Sequence, residues 1–431
     1  MTKEIIGLIG VFLVIGLIMF RVWIGAAMAI VGFLGLCAIQ GFTRAAAVLG
    51  TTTFSNLSVY PISAVPMFAL MGMVIAETNI GRDLYRAIYR FVGRFRGGMA
   101  SATVTTAGVL GAITGAEDVA AVIMTKIALP QMRDLGYDDE LSTASIAGGS
   151  PLAIIIPPSL PMILYGILTE CSVAKMFMGG VVPGVIMIGA FWVAISIICR
   201  IKPHLGPAGP KFPVKDRLKG LVGVAPVVIL FLMVLGGIYG GLCTTTEAGA
   251  VGAAGAIIIA FVTRQMNLKK FLKILREAVV TVGLILFLIA GTYIFITFLN
   301  VSRLPQLLTV WISETFSSNF TVLLMVAILY IILGMVMPQM CMMILTIPLL
   351  WPAMNALGFN IIWFGVFVTM MQALGGVTPP IGLIAYMVSG ISRVSAGKVF
   401  RGLVPFIAAY LLIIILVCIF PSLVTWLPSR M

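Results

Sequence analysis

Residues 148–166 decide the fold, and they read GGSPLAIIIPPSLPMILYG. The stretch is apolar enough for a membrane helix, yet Pro157 and Pro158 remove two adjacent amide donors and disfavour helix for the residue before each. We therefore expect the helix near 141–170 to break around residues 153–159. Irregular backbone inside a membrane is tolerated only against protein or a water-filled cavity, so the pattern predicts a buried, functional break.

A second stretch, residues 375–390 (GGVTPPIGLIAYMVSG), carries the same Pro-Pro pair. Shifting the sequence by 222 residues, with no gap, aligns several prolines and glycines of the first stretch with identical residues of the second. The aligned residues are Pro157-Pro158 with Pro379-Pro380, Pro130 with Pro352, Gly136 with Gly358, Gly180 with Gly402, and Pro183 with Pro405. Chance does not readily keep these landmarks in register. We therefore predict an internal repeat with a second break around residues 375–381. A plain proline kink is the alternative for either stretch alone.

The composition is that of an integral membrane protein. Of the 431 residues, 61% are hydrophobic and 10% charged, and the mean hydropathy is +1.17, whereas soluble chains are about a quarter charged. The formal net charge of +13 falls mostly in short segments between apolar ones, which indicates the positive-inside pattern and argues against a nucleic-acid partner. The six cysteines form no CxxC pair, and one histidine cannot build a zinc site.

Four basic segments orient the chain: residues 82–96, 202–219, 264–276 and 393–401. Lys and Arg concentrate in cytoplasmic loops, so we place all four in the cytoplasm. Counting the apolar spans between them then requires a pair near 99–131 to enter from the inside and a pair near 319–356 to enter from the outside. The two repeats are therefore predicted to be inverted, with both chain termini on the outer side.

The turns of these two helical pairs carry informative polar residues. Glu117 and Asp118 interrupt the first pair, and Pro338-Gln339 interrupts the second. A carboxylate at mid-bilayer costs about 2.5–3.5 kcal/mol, so the two acids require a cation, the N-terminal end of a helix, or a proton. The functional interpretation is contact with a cation or substrate. The structural alternative is a capping role for a helix that starts near Val119.

Three segments carry a family resemblance. Residues 148–166, 333–357 (LGMVMPQMCMMILTIPLLWPAMNAL) and 375–390 resemble the large membrane subunit of TRAP transporters, the tripartite ATP-independent periplasmic transporters of DctM type. The tetrapeptides Thr245-Thr-Glu-Ala and Phe420-Pro-Ser-Leu and the tripeptide Arg96-Gly-Gly also fit. The similarity covers essentially the whole chain, and the paired IIPPS and TPP motifs are specific to it.

The resemblance implies an all-α integral membrane protein with inverted repeats, two re-entrant helical hairpins and two broken helices. It implies an elevator mechanism, in which a transport domain of hairpins and broken helices slides against a scaffold. We accordingly divide the chain into N-terminal scaffold spans and an arm helix (1–98), a first repeat with hairpin 1 (99–200), central scaffold spans and an arm (201–318), and a second repeat with hairpin 2 (319–431).

The resemblance also implies a function and partners. Members of the family are sodium-driven importers of the bacterial inner membrane. They work with a small four-span membrane subunit and a soluble periplasmic substrate-binding protein, surrounded by lipid. The expected cargo is therefore a small polar organic solute, and the expected coupling ion is Na⁺. No catalytic residue is expected.

Sodium ligands are carried over from the family by position, and carbonyl and hydroxyl oxygens suit this hard cation. The first site is expected at Thr114, Gly115, Glu117, Asp118 and the carbonyls of Ala153 and Ile156. The second is expected at Met337, Gly375, Thr378 and Pro379. Whether Glu117 or Asp118 carries a proton instead is left open.

Both hairpin turns depart from the usual family pattern. An acid stands in the first turn, whereas Gln339 follows proline in the second, where the family usually has an acid. We see no intramembrane Arg to pair a carboxylate. We therefore hypothesise that a carboxylate solute is held by helix N-termini and Ser159, beside Pro158 and Pro380, and that Gln339 recognises a polar substituent.

Three other interpretations remain. A stand-alone sodium- or proton-coupled anion symporter of the wider two-hairpin superfamily would lack neighbouring genes for a small membrane subunit and a binding protein. An enzyme would need a nucleophile–base pair or a metal cluster, and the sequence has no HExxH, GxSxG or Cys/His constellation. A channel would reveal itself by conductance in planar bilayers.

Overall fold

The computed structural model describes residues 2–316 and 318–431, with the side chains of residues 219, 221–223 and 227 left out. Lys219, in the second basic segment, therefore lies outside the described side chains. Every regular element in the described residues is a helix. The α-helices are α1 (Lys3–Met19), α2 (Ile24–Gln40), α3 (Phe42–Leu57), α4 (Ala64–Ala76), α5 (Ile80–Val92), α6 (Gly98–Thr114), α7 (Glu117–Asp134), α8 (Asp139–Gly149), α9 (Leu152–Ile155), α10 (Leu160–Leu168), α11 (Val173–Ile201), α12 (Val214–Tyr239), α13 (Thr245–Val262), α14 (Leu268–Ser302), α15 (Leu304–Thr315), α16 (Asn319–Val336), α17 (Gln339–Ala356), α18 (Ile361–Gly375), α19 (Leu383–Ser392), α20 (Ala396–Ile419) and α21 (Ser422–Thr425).

The described residues include seven helical segments long and apolar enough to cross a membrane, and the α3–α4 pair, bent by 63°, makes an eighth. Their burial differs sharply. In the segment from α8 to α10 the most apolar window is 94% buried, whereas in α16 it is 22% buried. The broken segment α8–α10 therefore lies inside the protein, and α16 presents most of its surface to the surroundings.

The helix boundaries follow the predicted offset of 222 residues. Helix α7 (Glu117–Asp134) corresponds to α17 (Gln339–Ala356) at both ends. Helix α6 corresponds to α16, and α11 to α20, with starting residues that agree to within one position after the shift. Equivalent residues also cap equivalent helices. The Asp138 side chain accepts a hydrogen bond from one backbone amide at the start of α8, and the Asn360 side chain accepts hydrogen bonds from two backbone amides at the start of α18.

Both helices with a Pro-Pro pair are interrupted. The chain leaves helical geometry at residues 156–159, between α9 and α10, and at residues 376–382, between α18 and α19. Both Pro-Pro peptide bonds are cis. The surroundings differ, because Pro157 and Pro158 are buried whereas Pro379 and Pro380 are exposed.

The two repeats interlock in a central group of helices (α6–α11 and α16–α20). Helix α8 packs on α20, and α10 packs on α17. Two tyrosines bridge the repeats, since Tyr165 donates a hydrogen bond to the carbonyl of Ile361 (2.8 Å) and Tyr410 donates one to that of Gly148 (3.1 Å). The remaining helices form an outer group in which α14 packs along α2, α3 and α4, and α13 packs on α4. The groups meet where α4 and α5 contact α6, and where α15 contacts α17.

Two expectations about the helices are wrong in part. Many basic residues expected in loops lie on helices, among them Arg82, Arg86 and Arg90 on α5 and Lys269 in the first turn of α14. Their long apolar stems pack along a helix while the charge reaches water, so helices can run on beyond the apolar core. The last apolar stretch of the sequence predicts a span over about residues 399–426, but α20 ends at Ile419, where Pro421 prevents its continuation.

Candidate functional site

The turn of the first hairpin rests against the first break. Helix α6 ends at Thr114, Gly115 follows in the left-handed conformation (φ +65°), and α7 begins at Glu117. The carbonyl of Gly115 accepts a hydrogen bond from the amide of Leu160, the first residue of α10, at 3.4 Å. A Cβ added at Gly115 would lie 3.6 Å from the carbonyl oxygen of Pro158. Hairpin 1 and the first break therefore present their backbone oxygens close together.

The turn of the second hairpin, Met337-Pro338, adjoins the second break. Hairpin 2 approaches the end of α18 backbone to backbone, since a Cβ added at Gly375 would lie 2.8 Å from the Cα of Gly334 and 3.0 Å from the carbonyl oxygen of Tyr330. Only glycine permits such contact on both sides. The residue after Gly375 starts the break, so hairpin 2 fixes the position of that irregular backbone.

Glu117 reaches from the first hairpin to the second break. A Cβ added at Gly376 would lie 3.3 Å from Glu117 Oε1, and the Gln339 side chain faces the same carboxyl. The offset of 222 residues relates Glu117 to Gln339, because they are the first residues of α7 and α17. Equivalent positions of the two hairpins thus meet in the middle of the central group.

A third residue, Gln372 on α18, completes this tip cluster (Glu117, Gln339 and Gln372). Its Nε2 donates a hydrogen bond to the carbonyl of Gln339 at 3.3 Å. Three buried atoms of the cluster have no hydrogen-bond partner within the described residues: Glu117 Oε2, Gln339 Nε2 and Gln372 Oε1. Leaving such an atom unpaired costs about 1–3 kcal/mol. The cluster therefore has the character of a binding site, because a ligand would satisfy what the fold leaves open.

Asp118 faces away from the cluster into a cavity of about 450 Å³. This cavity lies between α7 and the outer group, and its polar lining includes Glu77, Asn79, Arg82 and Lys126. The Oδ1 of Asp118 accepts a hydrogen bond from the amide of Val119 at 2.9 Å. The two neighbouring acids thus have different surroundings, one buried between the hairpins and one beside open space.

The capping alternative for the acids is wrong for Glu117. Helix α7 begins at Glu117, two residues before Val119, and the residue in the capping position is Ala116, whose side chain makes no cap. Both acids sit in the first turn, where the helix dipole favours negative charge. Thr244 and Glu247 form a capping box at the start of α13, since each side chain bonds the other's backbone amide.

Part of the first set of expected sodium ligands, Thr114 with Ala153 and Ile156, lies along α6, whereas Asp118 points into a separate cavity. The hydroxyl of Thr114 lies within 3.4 Å of the carbonyls of Gly111 and Ala116. A Cβ added at Gly111 would meet the backbone of Ala153 at 2.5 Å, which places that residue against α6. Ile156 packs on the same face of α6 one turn earlier, at Gly108. This surrounding is rich in carbonyl oxygens, as a sodium site needs.

The other expected site residues are more dispersed. Thr378 donates its hydroxyl to the carbonyl of Leu374 at 2.6 Å, and the exposed Pro379 and Pro380 follow it. Ser159 is fully buried, and its hydroxyl accepts a hydrogen bond from the amide of Met162 at 3.4 Å. It therefore caps α10, which leaves its hydroxyl hydrogen as the group available to a ligand.

Gln372 was missed by sequence reasoning. The residues that the sequence singles out are charged or lie beside prolines, and Gln372 is a neutral amide in the apolar run FVTMMQALGG. A usable signal existed, because a glutamine three residues before a Gly-Gly pair in an otherwise apolar span requires a buried partner.

Comparison with known proteins agrees with this architecture. Residues 11–423 match the family "Tripartite ATP-independent periplasmic transporter, DctM component". The C4-dicarboxylate TRAP transporter large permease protein DctM of Pseudomonas aeruginosa is 30% identical over 88% of this chain and 89% of its own length. The isethionate TRAP transporter permease protein DctMQ of Oleidesulfovibrio alaskensis is longer, and is 28% identical over 86% of this chain and 58% of its own length. The crystal structure of the YdaH transporter of Alcanivorax borkumensis has a similar fold (TM-score 0.63, 14% identity, 90% of each chain).

Proposed function

Because the chain belongs to the DctM family of TRAP transporter large permease subunits, we propose that it imports a small polar organic solute with sodium ions by an elevator movement. The observation that carries this proposal is the tip cluster. Two equivalent hairpins and a broken helix bring three unpartnered polar atoms together in an apolar interior. Such convergence of hairpins and broken helices is typical of the binding sites of secondary transporters.

Sodium is the proposed coupling ion. The carbonyl-rich surroundings of Thr114 and Gly115 support one site, and the hydroxyl of Thr378 beside the second break supports another. The proposed cargo is a carboxylate or a similar anion, since the P. aeruginosa relative is named for C4-dicarboxylates and the O. alaskensis relative for isethionate. Helix N-termini that point at the cargo would favour its negative charge.

The position of the two hairpin turns relative to the scaffold supports an elevator mechanism in its inward-facing state, with the cargo site towards the cytoplasm. Asp118, beside the first turn, shares a cavity with Arg82, and Pro338 in the second turn shares one of about 400 Å³ with Arg21. The positive-inside pattern assigns Arg82 to the cytoplasmic side of the outer group, and the alternation of predicted spans places Arg21 on the same side. Both turns thus lie near one side of the scaffold, as expected for the inward-facing position in the bacterial inner membrane.

A small four-span membrane subunit and a periplasmic substrate-binding protein are the proposed partners. The longer DctMQ relative supports a close association with a further membrane part, because this chain matches only 58% of it.

The experiment is uptake into proteoliposomes. The solute is first identified by mass spectrometry of the purified binding protein. Vesicles that contain the chain and its small subunit are then mixed with binding protein loaded with that solute. We expect uptake that requires all three proteins and an inward sodium gradient. Equal uptake under a potassium gradient would contradict sodium coupling. Uptake by vesicles holding the chain alone would instead favour the stand-alone symporter.

A further inference from the structure

A cavity of about 440 Å³ lies in the central group, between α8, α11 and α20. Helices α8 and α20 close one side of it, because a Cβ added at Gly402 would collide with the carbonyl oxygen of Glu140. The cavity lies where these helices end or begin, since α11 ends at Ile201 and α8 and α20 begin at Asp139 and Ala396. It is therefore separate from the tip cluster and opens at one end of the central group.

Two basic side chains line this cavity, Lys202 and Arg401. They come from two of the four basic segments, both predicted to be cytoplasmic. Both are exposed, and neither forms an ion pair with the acids that the structure describes, whereas the neighbouring Lys398 pairs with Asp138. Arg401 Nε donates a hydrogen bond to the carbonyl of Gly397 at 3.4 Å. The two terminal nitrogens of its guanidinium group are thus available to a ligand.

The charge of the lining matches a single negative group. Glu140 is the one acid among the lining residues, so Lys202, Arg401 and Glu140 together carry a net charge of +1. A phosphodiester carries one negative charge, and its oxygens suit the planar fork of an arginine. Basic pockets between membrane helices on the cytoplasmic side are typical binding sites for lipid headgroups.

The rest of the lining is apolar and continues along the outside of two helices. Ile201 on α11 is 72% exposed and Val404 on α20 is 62% exposed, and both line the cavity. Deeper in the membrane, exposed apolar residues follow on the same faces of these helices, which pack on each other. They are Ile197 and Val193 on α11, and Leu411 and Ile415 on α20. Acyl chains can lie along such a surface, whereas a soluble anion gains nothing from it.

We propose that this cavity binds a phospholipid with one net negative charge, whose phosphate contacts Lys202 and Arg401 and whose acyl chains lie along α11 and α20. The lipid comes from the cytoplasmic leaflet, because both basic segments are assigned to that side. The inference goes beyond the proposed transport function. It is also independent of sodium coupling, since the cavity shares no residue with the proposed sodium ligands.

The test compares headgroups on the purified full-length chain, stripped of lipid in detergent. Thermal unfolding is recorded against phosphatidylglycerol, phosphatidylethanolamine and phosphatidylcholine with identical acyl chains, and against glycerol 3-phosphate as a soluble phosphate. We expect half-saturation by phosphatidylglycerol at a concentration about 5- to 30-fold lower than by the two zwitterionic lipids, because each basic residue contributes about a fivefold preference. Glycerol 3-phosphate should have no effect.

Variants assign the preference to the cavity. In Lys202→Gln/Arg401→Gln, the preference for phosphatidylglycerol should fall to within about twofold. Lys269→Gln/Arg276→Gln on α14 is the matched control, because it removes the same charge at two exposed residues outside the cavity, and it should keep the preference. Lys202→Arg/Arg401→Lys should keep it as well, which separates loss of charge from loss of fold.

Four results would overturn the inference. The first is equal half-saturation by all three lipids, or no stabilisation by any of them. The second is a preference that persists when Lys202 and Arg401 are both glutamine, and the third is its loss in the α14 control. The fourth is stabilisation by glycerol 3-phosphate equal to that by phosphatidylglycerol, which would indicate a site for a soluble phosphate.

Discussion

Asp138 ties the end of the first hairpin to the second repeat at the predicted cytoplasmic side. Its Oδ1 accepts a hydrogen bond from the amide of Glu140 at 2.7 Å and lies 2.9 Å from the Nζ of Lys398 on α20. Although its partial burial acts in the opposite direction, this amide and the Lys398 ammonium lower the pKa of Asp138 below its usual 3.8. A carboxyl whose pKa is lower in the folded state stabilises the fold above its unfolded pKa, and the contribution is lost as the pH falls through the folded value.

Asp138→Asn isolates the charge, because asparagine also caps a helix. We expect a loss of about 0.5–1 kcal/mol at pH 7, since both partners are about a third exposed. The difference from the parent should shrink as the pH is lowered below about 4. Thermal unfolding of both proteins across this range measures it, and a difference that does not change with pH would contradict the ion-pair explanation.

Single residues were predictable from the sequence where they carry charge. Glu117 stood out because a carboxylate in an apolar span needs a reason to be there, and the structure places it between the hairpins. Gln339 stood out by its place after proline. The contact between them follows from the repeat offset only once the repeats are known to face each other. The difference between Glu117 and Asp118 depends on packing, which neighbouring positions in a sequence do not reveal.

At the scale of helices, the close approach of hairpin 2 to α18 requires two facing glycines. We expect Gly375→Ala to destabilise the fold by about 1–3 kcal/mol, because its Cβ would meet backbone atoms of Gly334 and Tyr330, which cannot move aside as a side chain does. Gly390→Ala on α19 is the matched control, since nothing lies within 4 Å of its added Cβ. Chemical or thermal unfolding compares them, and equal stability of the two variants would contradict the close contact.

Helix breaks were the most predictable elements, because proline acts through its own covalent geometry. The two Pro-Pro pairs located both breaks to within a few residues. Their different exposure was not predictable, since it depends on which helices cover each break. The start of α14 was also missed. The apolar pattern predicts a span over about residues 278–299, but the helix begins at Leu268, because Asn267 caps a helix that includes the basic residues.

At the scale of the whole molecule, the orientation of the chain can be tested by labelling. Lys126 lines the cavity beside the first hairpin, and Glu170 lines a different cavity between α3 and α10. In a background without the six native cysteines, we expect Lys126→Cys to react with a membrane-impermeant maleimide in inverted vesicles. Glu170→Cys should react in right-side-out vesicles. Reaction of both from the same side would contradict the predicted topology.

The division into a moving and a fixed group is the least predictable feature from sequence. Repeat offset and charge placement suggest which helices correspond. The bend of 63° between α3 and α4 and the packing of α15 on α17 depend on long-range contacts. Local propensities do not determine such contacts, so the domain boundaries proposed from the sequence remain predictions.

The measurement that tests the central claim most directly is thermal unfolding of the purified chain, titrated with sodium or potassium at fixed ionic strength. Anything that binds only the folded state raises its melting temperature. We predict a rise specific to sodium, reduced in Thr114→Val and in Thr378→Val because each loses a hydroxyl at a proposed site. The rise should be retained in Thr125→Val, because the buried hydroxyl of Thr125 on α7 bonds only the carbonyl of Ala121. Equal effects of sodium and potassium in the parent protein, or no effect of either, would contradict sodium binding at the hairpins.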